Sequence, residues 1–310
     1  MTIMCLSTNG PSVCPMDGPP LRLLAATLDG VEILTRKGPA SPWSRAGHAL
    51  GGKHISALMN PPGVTGIFAS VHRGGIFHSS DGGESWTPRD AGLTIPHVFS
   101  LGFNEHREGV TLYAGTEPAS LFASHDNGAS WREMPALGKV PGHENWTFPP
   151  PPHTAHTKGF MFDARDANVI YVAVEQGALL KTTDGGVTWR ELDGFYRPGD
   201  VWSKDIHRVV RDPRHPARLY MATGMGLFRS DDEGETWTEL TDMGFRIGYP
   251  DQIIFSPVEP DVFFMSGAER DPSTWRISHE AHGTILRSRD GGKTWQNASN
   301  GLPHSGRANI

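Results

Sequence analysis

Four histidines stand at or near the start of apolar, strand-like segments: His54, His97, His156 and His207. Counting back from the turns at Asn104, Asp163, Asp212 and Ser256, the positions seven and five earlier give His97, then His156 and Lys158, then Asp205 and His207, then Tyr249 and Asp251. His54 falls one position out of this register. Side chains at i and i+2 of a strand point the same way, so each pair presents its polar groups on one side. Neutral imidazoles backed by carboxylates make a ligand set for a divalent metal ion. On this reading His54, His97, His156 and His207 are the metal ligands. The catalytic candidates are Glu175 and Asp205, as orienter or base, and Lys158, which together with Arg73 would anchor an anion. His97, His156 and His207 are expected to converge with Glu175 on one ion or polar ligand, with occupancy falling as pH drops through ~6.5. The competing reading has each histidine solvated or bonded to a nearby loop, and with 15 histidines in the chain coincidence is easy.

More polar residues close the ends of the second strand-like segments: His72-Arg73, Glu117, Glu175 and Glu269-Arg270. Three long insertions, residues 139–155, 195–204 and 268–282, lie beside these positions, and long loops on a rigid repeat scaffold usually carry binding. They supply Trp146, Trp202 and Trp275, which either stack on a ligand or cover local apolar clusters. Trp146, Trp202, Arg73, Asp251 and Glu269 are the substrate-binding candidates. Pro149 to Pro152 make the first insertion stiff, so His153 and His156 read as an extended entry to a strand and not as a helical metal motif.

The elements that position these residues follow from a repeat. The pattern Ser/Thr-x-Asp-x-Gly-x-Ser/Thr-Trp occurs five times, ending at Trp86, Trp131, Trp189, Trp237 and Trp295. Its aspartates, Asp81, Asp126, Asp184, Asp232 and Asp290, are 45, 58, 48 and 58 residues apart, the period of a four-stranded blade with loops of variable length. The Asp-x-Gly core suits a tight hairpin, with glycine at positive φ and the carboxylate accepting from the turn's own amides. The expected fold is all-β: a β-propeller of four-stranded antiparallel blades, either six-bladed or a truncated seven-bladed ring. Residues 23–46 read as three outer strands of a further blade. Its innermost strand is expected either from residues 305–310 or not at all.

The octapeptide resembles the BNR (bacterial neuraminidase) repeat, or Asp-box, found in sialidases, sortilin-type receptors and a photosystem II assembly factor. The resemblance covers residues 79–295 and implies the propeller fold. Sialidases also carry a Phe/Tyr-Arg-Ile-Pro segment before the first box; the nearest match, Phe245 to Gly248, lacks the proline and follows the fourth box. The resemblance therefore implies the scaffold rather than the sialidase reaction. Two functions remain: an enzyme with a metal or acid–base cluster acting on a small polar substrate as hydrolase, lyase or oxygenase, or a non-catalytic propeller that holds a peptide or protein.

Composition agrees with one large β domain over residues 21–310, preceded by a flexible leader at 1–20. The 310 residues are 37% hydrophobic, with 37 glycines and 25 prolines for turns. A net charge of −6 without a basic run argues against nucleic acid or an anionic membrane as partner. The two cysteines, Cys5 and Cys14, and the lack of an export-signal pattern point to a reducing, cytoplasmic setting.

Overall fold

The computed structural model describes residues 2–11, 18–197 and 201–302. Among them the chain forms six four-stranded blades of a β-propeller. The first blade holds β1 (Ile3–Leu6), β2 (Arg22–Thr27), β3 (Gly30–Thr35) and β4 (Ser44–Ala49). The second holds β5 (Ile55–Met59), β6 (Ile67–Val71), β7 (Gly75–Ser79) and β8 (Thr87–Pro88). The third holds β9 (Val98–His106), β10 (Gly109–Thr116), β11 (Leu121–Ser124) and β12 (Arg132–Glu133). The fourth comprises β13 (His156–Phe162), β14 (Ile170–Glu175), β15 (Ala178–Thr182) and β16 (Arg190–Leu192). The fifth comprises β17 (Ile206–Arg211), β18 (Leu219–Thr223), β19 (Gly226–Ser230) and β20 (Thr238–Glu239). The sixth comprises β21 (Tyr249–Phe255), β22 (Phe263–Ala268), β23 (Thr284–Ser288) and β24 (Gln296–Asn297). No helix among the described residues is long and apolar enough to cross a membrane.

The chain packs as two compact units: Met1–Glu144 with Pro149–Val172 and Thr182–Trp189, and Asn145–Phe148 with Ala173–Lys181 and Arg190–Ile310. In the first unit Met59, Phe68, Leu101, Leu112, Phe122 and Trp131 form a core shared by the second and third blades. In the second, Tyr220, Ile253, Phe263, Met265 and Leu286 do the same for the fifth and sixth. All five residues of β5 and of β6 are buried, because a blade between two neighbours has no wet face and its inner strands read as continuous apolar runs. The two-residue outer strands β8 and β12 are exposed.

The five boxes fold alike. In the first, Ser79 Oγ donates to Asp81 Oδ1 (2.8 Å) and accepts from Gly83 N (2.8 Å), while Ser85 N and Oγ both donate to the Asp81 carboxylate. The same bonds recur around Asp126, Asp184, Asp232 and Asp290. These hydrogen bonds, led by the hydroxyl at the seventh box position, hold Asp126, Asp184 and Asp290 near a pKa of about 2. Gly186 sits at φ 90°, a backbone conformation that glycine adopts and other residues strain to reach.

Two features depart from expectation. Ile3–Leu6, inside the stretch read as a flexible leader, pairs with β2, and it does so in parallel, whereas β2–β3 and β3–β4 of the same blade are antiparallel. The innermost place of the first blade is therefore filled from the N-terminal side; residues 305–310, the other candidate, lie outside the described residues, as does Cys14. The insertion at 268–282 contains a helix, α1 (Pro272–Ser278), which the sequence reading did not anticipate. Asp271 caps it by accepting from Ser273 N (2.8 Å), and Pro272 occupies the first turn.

Candidate functional site

A β-bulge recurs where the innermost strands begin. Pairing skips Ser56 in β5, Phe99 in β9, His207 in β17 and Asp251 in β21. Each bulge adds one unpaired residue and re-aims its side chain. Two residues before the bulge stand His54, His97, Asp205 and Tyr249. The backbone fixes three of these against the end of the second strand: His72 N donates to His54 O (2.9 Å), Glu117 N to His97 O (2.9 Å) and Gly224 N to Asp205 O (2.8 Å). His54 thus occupies the same blade position as His97, correcting the one-residue offset obtained by counting back from the strand-end turn. That count failed because the bulge, not the turn, sets the register.

In the first unit the bulges assemble a histidine cluster. Ligand atoms of His72, His97 and Glu117 lie within 4.8 Å of one another. The His72 and His97 rings meet edge to face at 3.9 Å, and His54 lies 5.0 Å beyond His72. Glu117 bridges two histidines, with Oε1 3.5 Å from His97 Nδ1 and Oε2 3.8 Å from His156 Nδ1. His156 is fully buried and stacked on Phe99 at 3.6 Å, and Lys158 Nζ lies 5.8 Å from the Phe99 ring centre. Burial lowers the pKa of His54, His72 and His97. The neighbouring imidazoles and Arg73 push His72 and His97 further, His97 to about 4. These three rings are neutral at pH 7, the protonation state in which imidazole binds metal. His97 Nε2 is buried without a hydrogen-bond partner among the described residues. Arg73 follows His72 at φ 62°, in a turn closed by Gly74 N donating to Val71 O (2.9 Å).

In the second unit a more closed cluster forms around His207. Ligand atoms of Glu175, Asp205 and His207 again lie within 4.8 Å of one another, and the three residues are 6%, 1% and 1% exposed. His207 Nδ1 lies 2.6 Å from Pro250 O, which can only accept, so Nδ1 carries the proton. Nε2 then faces Asp205 Oδ2 at 3.3 Å. Tyr249 Oη donates to the same Oδ2 (2.9 Å). Burial opposes charge on His207, but the carboxylates of Asp205, Asp251 and Glu175 outweigh it and raise its pKa to about 9. Burial, then Asp205 and Glu175, push the Tyr249 hydroxyl up. Asp251 thus contributes through its charge.

The structure brings His54, His97, His156, Lys158 and Arg73 into the first set, and Glu175, Asp205, His207 and Asp251 into the second. Trp202 lies within a 3-10 turn (Val201–Lys204), and its carbonyl accepts from Asp205 N (3.1 Å), so that insertion sets the Asp205 backbone. Trp146 packs over Gly177, where a Cβ would lie 3.0 Å from its Cγ, beside the turn that follows Glu175. Glu269 instead lines an open groove with Arg246, His282 and Thr284. Trp275 packs on Tyr249, Ala268 and Ala281, covering a local apolar cluster. Sequence reasoning noticed His72 and Glu117 as strand ends but did not name them as ligands. The signal that finds them is the cross-strand pairing of His72 with His54 and of Glu117 with His97.

No protein-family model matches the chain. It is 22% identical over 228 residues to an oligoxyloglucan-reducing end-specific xyloglucanase of Emericella nidulans, an alignment that covers 67% of this chain and 26% of that enzyme. It is 23% identical over 261 residues to the photosystem II assembly lipoprotein Ycf48 of Synechococcus sp. (strain CC9902), covering 71% and 68% of the two chains. The chain thus spans about a quarter of the xyloglucanase's length. Among solved structures it superposes on an ancestral GH74 enzyme with a TM-score of 0.66 at 17% identity, over 83% of this chain and 32% of the other. It superposes on Ycf48 bound to D1 peptide with a TM-score of 0.60 at 13% identity, over 98% and 87%. At these identities the structural likeness shows the β-propeller fold, on which hydrolases and binding proteins are both built.

Proposed function

We propose that this chain is a divalent-metal-dependent hydrolase acting on a small anionic substrate, with His72, His97 and Glu117 as the metal ligands. One observation carries the reading: two neutral imidazoles and a carboxylate have their ligand atoms within 4.8 Å of one another. Two imidazoles and one carboxylate suit a borderline transition ion, and such an ion polarises a carbonyl or phosphoryl oxygen and lowers the pKa of a bound water. The chain's own residues supply the rest. His156, packed on Phe99, orients the Glu117 carboxylate from the side opposite His97. His54 steadies the His72 ring, and Arg73 and Lys158 supply positive charge for an anionic group. Metal analysis of tag-free protein tests this: wild type retains an equivalent of ion that His97→Ala and Glu117→Gln lose, together with turnover of small phosphate or carboxylate esters. Ion content unchanged in both variants overturns it.

A second reading, a peptide-binding propeller, is favoured by span: this chain and the Ycf48 structure match over nearly their whole lengths. Peptide-array binding that persists in chelator-treated protein, with no ester turnover, supports that reading over the first.

A further inference from the structure

The carboxylate-rich cluster of the second unit is built differently from the histidine cluster, and the hydrolase reading makes no use of it. His207 is the bulged residue of β17, and the proton on Nδ1 is committed to Pro250 O at 2.6 Å. A metal-binding histidine typically has this arrangement, one ring nitrogen tied to a backbone carbonyl and the other left as donor. Nε2 is buried and makes no hydrogen bond among the described residues, its near neighbour being Asp205 Oδ2 at 3.3 Å, and Asp205 Oδ1 is buried without a hydrogen-bond partner among them. Tyr249 Oη holds the other carboxylate oxygen of Asp205, as an outer-shell donor would. Space for Asp205 is kept by Gly224, where a Cβ would lie 2.7 Å from Oδ2. Glu175 completes the set from the end of β14.

We propose that Glu175, Asp205 and His207 form a second, closed divalent-cation site that serves stability rather than turnover. Two carboxylates and one imidazole suit an ion of the Mn²⁺ or Zn²⁺ class. All three residues are buried, the setting of a structural ion and not of one open to a substrate. The bound ion takes the place of the proton on His207 Nε2 and gives Asp205 Oδ1 the partner it lacks among the described residues.

The test uses the tag-free full chain, washed with a weak chelator and reloaded with Zn²⁺ alone, reading the metal-to-protein ratio and the thermal midpoint. The expected result is about two equivalents in wild type and about one in His97→Ala. Adding Glu175→Gln to His97→Ala should remove the last equivalent and with it the Zn²⁺-induced rise in midpoint. Glu175→Gln keeps the His207–Pro250 and Tyr249–Asp205 bonds in place; Asp205→Asn in the same background is the second variant. The proposal is overturned if His97→Ala retains no Zn²⁺, or if either carboxamide variant retains as much as its parent. A wild type holding about one equivalent that His97→Ala leaves and Glu175→Gln removes would keep this site and overturn the histidine site instead.

Discussion

The box turns and the strand entries repeat with the same blade period, yet they differ in what they conserve within one chain. Each box repeats a hydroxyl, a carboxylate and a glycine amide in the same bonds, because a tight hairpin has a single way to satisfy its own polar groups. At the strand entries the backbone repeats, bulge and cross-strand bond included, while the side chain changes from His54 and His97 to Asp205 and Tyr249. Where a repeat keeps its backbone and varies its side chains, the backbone is scaffold and the side chains are free to specialise. Even the boxes vary at one place. The Trp86, Trp237 and Trp295 indoles donate to their own box glycine carbonyls, whereas Trp131 donates to Arg89 O (2.8 Å) and is nearly fully buried.

That contrast breaks if box substitutions alter binding or if substitutions in the histidine cluster alter stability at neutral pH. The largest expected effect is on stability: Trp131→Ala should cost about 3–5 kcal/mol in urea unfolding by emptying the core shared by the second and third blades. A loss below about 1 kcal/mol would show that the indole is a surface cover. Next comes His97→Ala, expected to weaken divalent-ion affinity by roughly 100-fold in titration calorimetry while leaving the urea midpoint nearly unchanged. A large shift in that midpoint would make His97 structural. Thr182→Val keeps the volume but removes the hydroxyl that serves Gly186 N and Asp184. It should cost about 1–2 kcal/mol and leave ion affinity unaltered.

The smallest expected effects are in pH, and they separate the two regions by window. His97 has a folded pKa depressed to about 4, so between ~6.5 and 4 the unfolded chain binds more protons than the folded one, and stability falls as pH drops through that range. His97→Gln should flatten this segment of a pH-dependent unfolding curve. The box aspartates lie lower, near 2 for Asp126, Asp184 and Asp290; their contribution is present above the unfolded carboxylate value and is lost as pH falls toward 2. A single acid transition untouched by His97→Gln would assign all of it to the carboxylates.

The box octapeptide determined by itself the hairpin positions, the four-stranded unit and hence the propeller, because the hydroxyl and carboxylate of each box complete their bonds within eight adjacent residues. Strand polarity likewise placed His97, His156, Asp205 and His207 near one end of their blades. What the tertiary structure decided is which of these groups meet. Glu117 reaches His97 across a strand pair and His156 on the next blade, and His207 takes its orientation from Pro250, 43 residues away. The place of β1 beside β2 and the helix in the last insertion were equally hidden: β1 is four residues long and finds its strand edge only in the assembled blade, and α1 spans two turns held by its cap. Bulges, which shift register by one residue without any sequence signature of their own, helped decide which histidines and carboxylates come together.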